Sequence, residues 1–144
     1  MDRKHKIILT GANGQLAKTI CLNLKKKYNL ITYSKNQIDI SNKKDLLKLD
    51  TKDCKILINT AAYTNVEKAE KYKKKAHLVN YKSLKNLKKI CEKNNIFFIH
   101  FSTDYVFNGN TRTPYKENSK TNPVNQYGKS KSKGETFLLK SINF

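Results

Sequence analysis

Tyr127 and Lys131 stand four residues apart, a spacing that puts both on one face of a helix. A free phenol keeps its proton until about pH 10. It therefore exchanges protons poorly near neutrality unless an adjacent ammonium favours its phenolate. Lys131 can supply that charge and also hold a nicotinamide ribose. Upstream, Phe101-Ser102-Thr103-Asp104-Tyr105-Val106-Phe107 carries hydroxyls and a carboxylate to the end of an expected strand. There Thr103 would hydrogen-bond a substrate carbonyl and align it with Tyr127 while hydride arrives from a cofactor. In a chain this rich in lysine, a Tyr-x-x-x-Lys pair also arises by chance, so its weight depends on what precedes it.

What precedes it is Thr10-Gly11-Ala12-Asn13-Gly14-Gln15-Leu16-Ala17, between an apolar run and a stretch of helical period. Gly11 permits a tight turn, Gly14 lets backbone approach a pyrophosphate, and small Ala17 lets the helix pack on the strand. The N–H groups and positive dipole end of that helix would face the phosphates, making Gly11, Asn13, Gly14, Gln15 and Leu16 candidate cofactor ligands. A glycine pair also marks plain turns. The next expected strand ends Tyr33-Ser34-Lys35, where a cation favours NADPH over NADH; Lys35 also reads as one more surface lysine. Asp39 and Ile40 could line an adenine pocket, or Asp39 could cap the following helix. Ala61, Ala62 and Tyr63 follow the third expected strand, where small side chains leave room for a flat cofactor or simply pack closely.

The elements that must position these residues follow from pattern. Short apolar, β-branched runs at 6–10, 30–33, 55–59 and 96–102 read as buried parallel strands. Leu16, Ile20 and Leu24, then Ala76, Val79, Leu84, Leu87, Ile90 and Cys91, have helical period between them, and 108–125 reads as a loop before a last helix at 124–141. This alternation implies an α/β fold with a Rossmann-type doubly wound parallel sheet, one domain over 1–144. Ile142-Asn143-Phe144 reads as the start of another strand, so the domain is expected to be incomplete at its C-terminal end.

Taken together these motifs resemble the extended short-chain dehydrogenase/reductase superfamily and, within it, the dTDP-4-dehydrorhamnose reductase family. The resemblance rests on the glycine loop and Asn59-Thr60-Ala61-Ala62-Tyr63-Thr64 with Val66-Glu67-Lys68-Ala69-Glu70. It rests equally on Ser102 to Phe107, Pro114-Tyr115-Lys116-Glu117, Tyr127 to Lys131 and Gly134-Glu135. It implies reduction of the 4-keto group of a nucleotide-linked 6-deoxysugar by NADPH or NADH, with Thr103, Tyr127 and Lys131 as the catalytic triad. It also implies Asp104 and Tyr105 near the sugar, and Asn80 supporting the lysine or simply packing its helix. A longer form would be a homodimer. Ala17 replaces the third glycine of many members, a tolerable change. Members also continue well beyond this length, with a smaller domain that grips the nucleotide sugar. Other extended reductases or epimerases, and a non-catalytic regulatory subunit, are the alternatives.

Composition excludes other classes. The net charge of +19 comes from 30 Lys and Arg against 11 Asp and Glu. Almost all the cations are lysine, with Arg3 and Arg112 the exceptions, whereas base and bidentate phosphate recognition favour arginine. A lysine-rich helix around Lys71, Lys73, Lys74 and Lys75 lacks aromatic platforms, so no specific nucleic-acid partner is expected. Cys21, Cys54 and Cys91 form no C-x-x-C pair, so neither a metal site nor disulfides are expected, which fits a cytoplasmic location. The apolar run after the basic start is too short for a signal or a membrane span, so no membrane partner is expected.

Overall fold

Lys6–Thr10 (β1) lies between Asn29–Tyr33 (β2) and Cys54–Asn59 (β3), and Phe97–His100 (β4) extends the sheet beyond β3, all pairs parallel, in a computed structural model describing residues 5–140. The order β2-β1-β3-β4 requires crossovers on both sides of β1. The apolar runs formed strands for the expected reason: Ile7, Ile8, Leu9, Leu57 and Ile58 are almost wholly buried, as central parallel strands covered on both faces must be. Between the strands, Gln15–Leu24 (α1) follows β1 and Lys43–Leu46 (α2) follows β2. Val66–Lys71 (α3), Lys73–His77 (α4), a π-helical turn Leu78–Lys82 and Ser83–Lys93 (α5) lie between β3 and β4. After β4 come a 3-10 turn, Asp104–Val106, and Gln126–Lys140 (α6).

The chain divides into two compact units, 5–62 with 85–101 and 63–84 with 102–140. The first holds the sheet, with Ala17 packed among Ile7, Leu9 and Ile58 and flanked by Ile20 and Leu24. Leu16 does not join that stripe; it is 43% exposed, because the buried face of α1 passes through Ala17. The second is built around α6, whose Tyr127 packs with Ala69 and Ala76.

Besides one-residue shifts at the starts of β2, β3 and β4, three features differ from expectation. β4 stops at His100, two residues early, because the chain turns at Thr103, whose hydroxyl accepts from the Tyr105 N–H. α6 starts at Gln126, where Asn125 accepts from the Gly128 N–H at 2.7 Å and Glu70 from the Gln126 N–H at 2.7 Å. The lysine-rich helix is broken at Tyr72 (φ −106°, ψ 46°), so Lys71 and Lys73 belong to different helices. The expected strand at Ile142–Phe144 and helix end at Ser141 lie outside the described residues.

Candidate functional site

Hydrogen bonds at the carboxyl ends of the strands fix the first unit's loops. Thr10 and Asn59 are fully buried, and the Thr10 hydroxyl donates to Asn59 Oδ1 at 2.7 Å. The same oxygen accepts from the Ala61 N–H, while Asn59 Nδ2 meets His100 Nδ1 at 3.0 Å and the Thr60 hydroxyl donates to the Thr10 carbonyl. One polar network thus ties β1, β3 and β4 where loops leave the sheet. Neither Asn59 nor His100 was singled out for this from sequence, which offers no signal of a partner some forty positions away.

That network brings Ala61 against the glycine loop. Gly11 has φ +82°, its N–H donates to the Tyr33 carbonyl, and a Cβ there would lie 2.6 Å from the Ala61 nitrogen. The backbone at Ala61 and the Thr60 hydroxyl therefore lie close against the glycine turn. Gly14 caps α1 without a side-chain bond, and the first turn contains no acidic residue. The leading N–H groups of α1 are left for an anion, and Asn13, Gly14, Gln15 and Leu16 all lie exposed around them. This donor set fits a pyrophosphate.

The adenine-side candidates divide. Lys35 is exposed in the turn after β2, where Gln37 holds Ser34. Asp39 does not cap α2; Asn42 does, while Asp39 Oδ1 accepts from the Ser41 N–H and hydroxyl. Ile40 is buried at 3% exposure, with its side chain inside the first unit.

In the second unit α6 brings Tyr127 and Lys131 onto one face. Both are buried, Lys131 to 3% exposure. Burial pushes the Lys131 ammonium down to about 8, against the opposing pull of Glu135 one turn further on. The helix is held by contacts that only glycine allows: a Cβ at Gly128 would lie 2.1 Å from the Tyr105 carbonyl oxygen, and one at Gly134 2.4 Å from the Asn80 carbonyl oxygen. Asn80 sits in the π-helical turn, 1% exposed. Its side chain accepts from the Tyr63 N–H, donates to the Tyr63 carbonyl and donates to the Ser130 hydroxyl, which in turn donates to the Tyr127 carbonyl. Asn80 thus reaches the helix of Tyr127 and Lys131 through Ser130, and clamps Tyr63 by its backbone. Thr103 donates to Asp104 Oδ1 at 3.1 Å. Tyr105 stands edge-on to Tyr127, ring centres 5.6 Å apart, so Asp104 and Tyr105 gather at this end of α6. Sequence reading did not give roles to Gly128, Ser130 or Glu135; the last was visible as an i+4 partner of Lys131.

A parallel sheet whose first strand passes through a glycine turn into an uncapped helix, and a buried Tyr-x-x-x-Lys helix downstream, define the Rossmann-type short-chain reductase class. The chain belongs to the family described as the RmlD substrate binding domain, whose model matches residues 5–143. It is 35% identical over 137 residues to dTDP-4-dehydrorhamnose reductase of Aggregatibacter actinomycetemcomitans, covering 93% of this chain and 47% of that protein. To the Mycolicibacterium smegmatis dTDP-4-dehydrorhamnose reductase it is 37% identical over 136 residues, covering 93% and 41%. The crystal structure of Bacillus anthracis dTDP-4-dehydrorhamnose reductase in complex with NADP superposes with a TM-score of 0.90 at 34% identity, covering 97% of this chain and 50% of that one. The chain spans about half the length of the curated relatives it matches.

Proposed function

We propose that this chain is the cofactor-holding part of a reductase that converts the 4-keto group of a nucleotide-linked deoxysugar, dTDP-4-dehydrorhamnose, to the alcohol. The carrying observation is that Tyr127 lies buried on the same helical face as the buried cation Lys131. The glycine turn and uncapped start of α1 would hold the pyrophosphate of NADPH or NADH, with Ala61, Ala62 and Tyr63 beside the flat part of the cofactor. Lys35, in place of an acidic residue after β2, favours NADPH. Asp39, whose Oδ1 is engaged by Ser41, would line the adenine side through the rest of its carboxylate, and Ile40, its side chain buried, through its backbone. When bound, the cofactor would supply the hydride through its nicotinamide.

Tyr127 gives its phenolic proton to the carbonyl oxygen as that oxygen gains charge, and the ammonium of Lys131 stabilises the phenolate left behind. Thr103 donates to the same oxygen and fixes its direction, with Asp104 and Tyr105 lining the sugar. The catalytic groups are thus Thr103, Tyr127 and Lys131. Residues 1–144 serve as one NAD(P)-binding domain in this reading. The reaction would run in the cytoplasm, where Cys21, Cys54 and Cys91 stay as free thiols.

The test is NADPH oxidation with dTDP-4-dehydrorhamnose by a full-length version of the protein. Tyr127→Phe is expected to lower kcat by a factor of about 100 or more with cofactor affinity nearly unchanged. Unchanged kcat would remove Tyr127 from the mechanism, and no turnover by the parent would remove the substrate.

A further inference from the structure

Asn59 is fully buried at the carboxyl end of β3, so each polar atom of its amide needs a partner. Its Oδ1 accepts from the Thr10 hydroxyl at 2.7 Å and from the Ala61 N–H at 3.2 Å. Its Nδ2 donates to the Ala61 carbonyl at 3.4 Å and meets His100 Nδ1 at 3.0 Å. These partners assign the orientation of the amide. With oxygen and nitrogen exchanged, two donors would face each other at the Ala61 N–H and two acceptors at the Ala61 carbonyl. Nδ2 therefore donates toward His100, and His100 Nδ1 must accept. An imidazole nitrogen that accepts carries no proton, so the ring is neutral with its proton on Nε2.

We propose that His100 is a positioning residue for the cofactor loop: as the neutral Nε2–H tautomer it holds the Asn59 amide against Ala61, and protonation of the ring releases it. The purpose of that loop rests on the reductase reading; the coupling from His100 to Ala61 does not. A proton on Nδ1 would set N–H against N–H at 3.0 Å and leave a buried Asn59 donor without its acceptor. The Asn59 main-chain carbonyl, 3.4 Å from the same nitrogen, is then the acceptor within reach, so the ring turns from side chain to backbone. Beyond the amide stands Ala61, held at both its N–H and its carbonyl. Its nitrogen would lie 2.6 Å from a Cβ at Gly11, so a displaced Ala61 is felt at the glycine turn.

The groups at Nδ1 are the uncharged amide and carbonyl of Asn59, so the proton changes a hydrogen-bond pattern and not an ion pair. On β3, the strand paired with β4, the titratable residues Cys54 and Lys55 stand five and four residues before Asn59, about 13 Å or more along the strand. Lys6 of β1 lies at that same far end. The helix leading into β4, α5, buries Cys91, whose thiol is pushed up to about 12 by burial, and its Lys88 and Glu92 pair with each other. On β4 itself the Phe98 ring stacks beside the imidazole, centres 6.3 Å apart.

The experiment reads the His100 ring of this chain by long-range 15N–1H correlation, assigned through bonds from its backbone. It follows the ring and the Ala61 amide from pH 7.5 to 4.5, a range that spans the ordinary histidine midpoint of about 6.5. At pH 7.5 the proton is expected on Nε2, with a scalar coupling across the bond from Asn59 Nδ2 to His100 Nδ1. The Ala61 resonance should then move with the midpoint of the ring. A proton on Nδ1 at pH 7.5, a ring that stays neutral throughout, or an Ala61 amide that does not follow the ring overturns the proposal. His100→Asn, whose carboxamide oxygen offers an acceptor at a reach similar to Nδ1, should hold Ala61 near its pH 7.5 position across the range, whereas His100→Leu should displace it throughout. A merely structural His100 would give neither the shared midpoint nor the rescue. Calorimetry with NADP+ on the same samples reads the purpose. Its Kd should rise about 5-fold or more in the parent once the ring is protonated, beyond any rise in His100→Asn. An equal rise in both removes the cofactor role, while no binding at any pH refutes the cofactor reading itself and leaves the ring and Ala61 results to decide the coupling.

Discussion

Exchanging the buried Lys131 together with Glu135, one turn further along α6, in the double variant Lys131→Met with Glu135→Gln, should make the chain more stable at neutral pH. The single Met replacement would leave Glu135 without its counter-charge, which is why both are changed. Lys131 drops from the ordinary 10.5 to about 8 on folding, dominated by the loss of water around its ammonium. At 1.36 kcal/mol per pH unit, this difference disfavours the charged form in the folded state by about 3 kcal/mol. The sign follows from proton counts. Between about pH 8 and 10.5 the unfolded chain holds a proton on Lys131 that the folded chain has released, so parent stability rises with pH across that window. Below pH 8 the full cost stands. The double variant has nothing to titrate there. Its advantage should be about 1–3 kcal/mol at pH 7, and relative to the parent it should shrink by about 3 kcal/mol as pH climbs from 8 to 10.5. Urea unfolding followed by circular dichroism at half-unit pH steps measures it, since a change in midpoint at constant slope is a change in stability. A double variant less stable than the parent at pH 7, or a difference flat from pH 8 to 10.5, would refute the reasoning.

Other outcomes follow from the same contacts. Gly11→Ala adds a Cβ 2.6 Å from the Ala61 nitrogen at a φ of +82°, and should cost about 1–3 kcal/mol in urea unfolding; a loss under 0.5 kcal/mol would show the loop to be loose. Gly128→Ala, with a Cβ 2.1 Å from the Tyr105 carbonyl oxygen, should displace the 3-10 turn and shift the Thr103 and Tyr105 amide resonances, and an unperturbed spectrum would contradict the close approach. Asn80→Ala leaves the Tyr63 N–H and carbonyl without their partner; it should cost about 2–4 kcal/mol and speed hydrogen exchange at the Tyr63 amide, which stays slow if the clamp is wrong. In a full-length reductase, Lys35→Glu should raise KM for NADPH at least about 10-fold while sparing NADH, and equal effects on both would take Lys35 out of the cofactor site.

The sheet was legible because its strands announce themselves in contiguous runs: Ile7, Ile8 and Leu9, or Ile56, Leu57 and Ile58, leave little else for a short apolar segment bounded by turns. Tyr127 and Lys131 were legible because helical spacing is a local property. What escaped was non-local. No composition separates a π-helical turn at Leu78–Lys82 from ordinary helix, since the change is one of hydrogen-bond register, and it is that turn that carries Asn80. The reason for glycine at 128 and 134 lies in carbonyls of Tyr105 and Asn80, distant along the chain. Leu16 was misassigned because a leucine and an alanine at adjacent positions cannot both face the sheet, and the smaller one fits there.

Helix α6 shows what those non-local contacts are for. Its buried residues are Tyr127, Gly128, Ser130, Lys131, Ser132 and Gly134, a face with almost no aliphatic surface to remove from water. A helix normally docks through an apolar stripe, so this one must be held otherwise. Asn125 and Glu70 satisfy its first N–H groups, Ser130 and Asn80 bond across it, Ser132 reaches Thr121, and two glycines let neighbouring backbone approach. Each is directional, so together they fix rotation about the helix axis, which a greasy stripe constrains poorly. For the proposed proton transfer that rotation is the critical coordinate: turning α6 by one residue, about 100°, would swing the face that Tyr127 and Lys131 share away from Ala69 and Ala76. Burying an ammonium and leaving a carboxylate oxygen unbonded sacrifices stability, as the proposed role of these side chains would require, and the fold supports them with polar contacts.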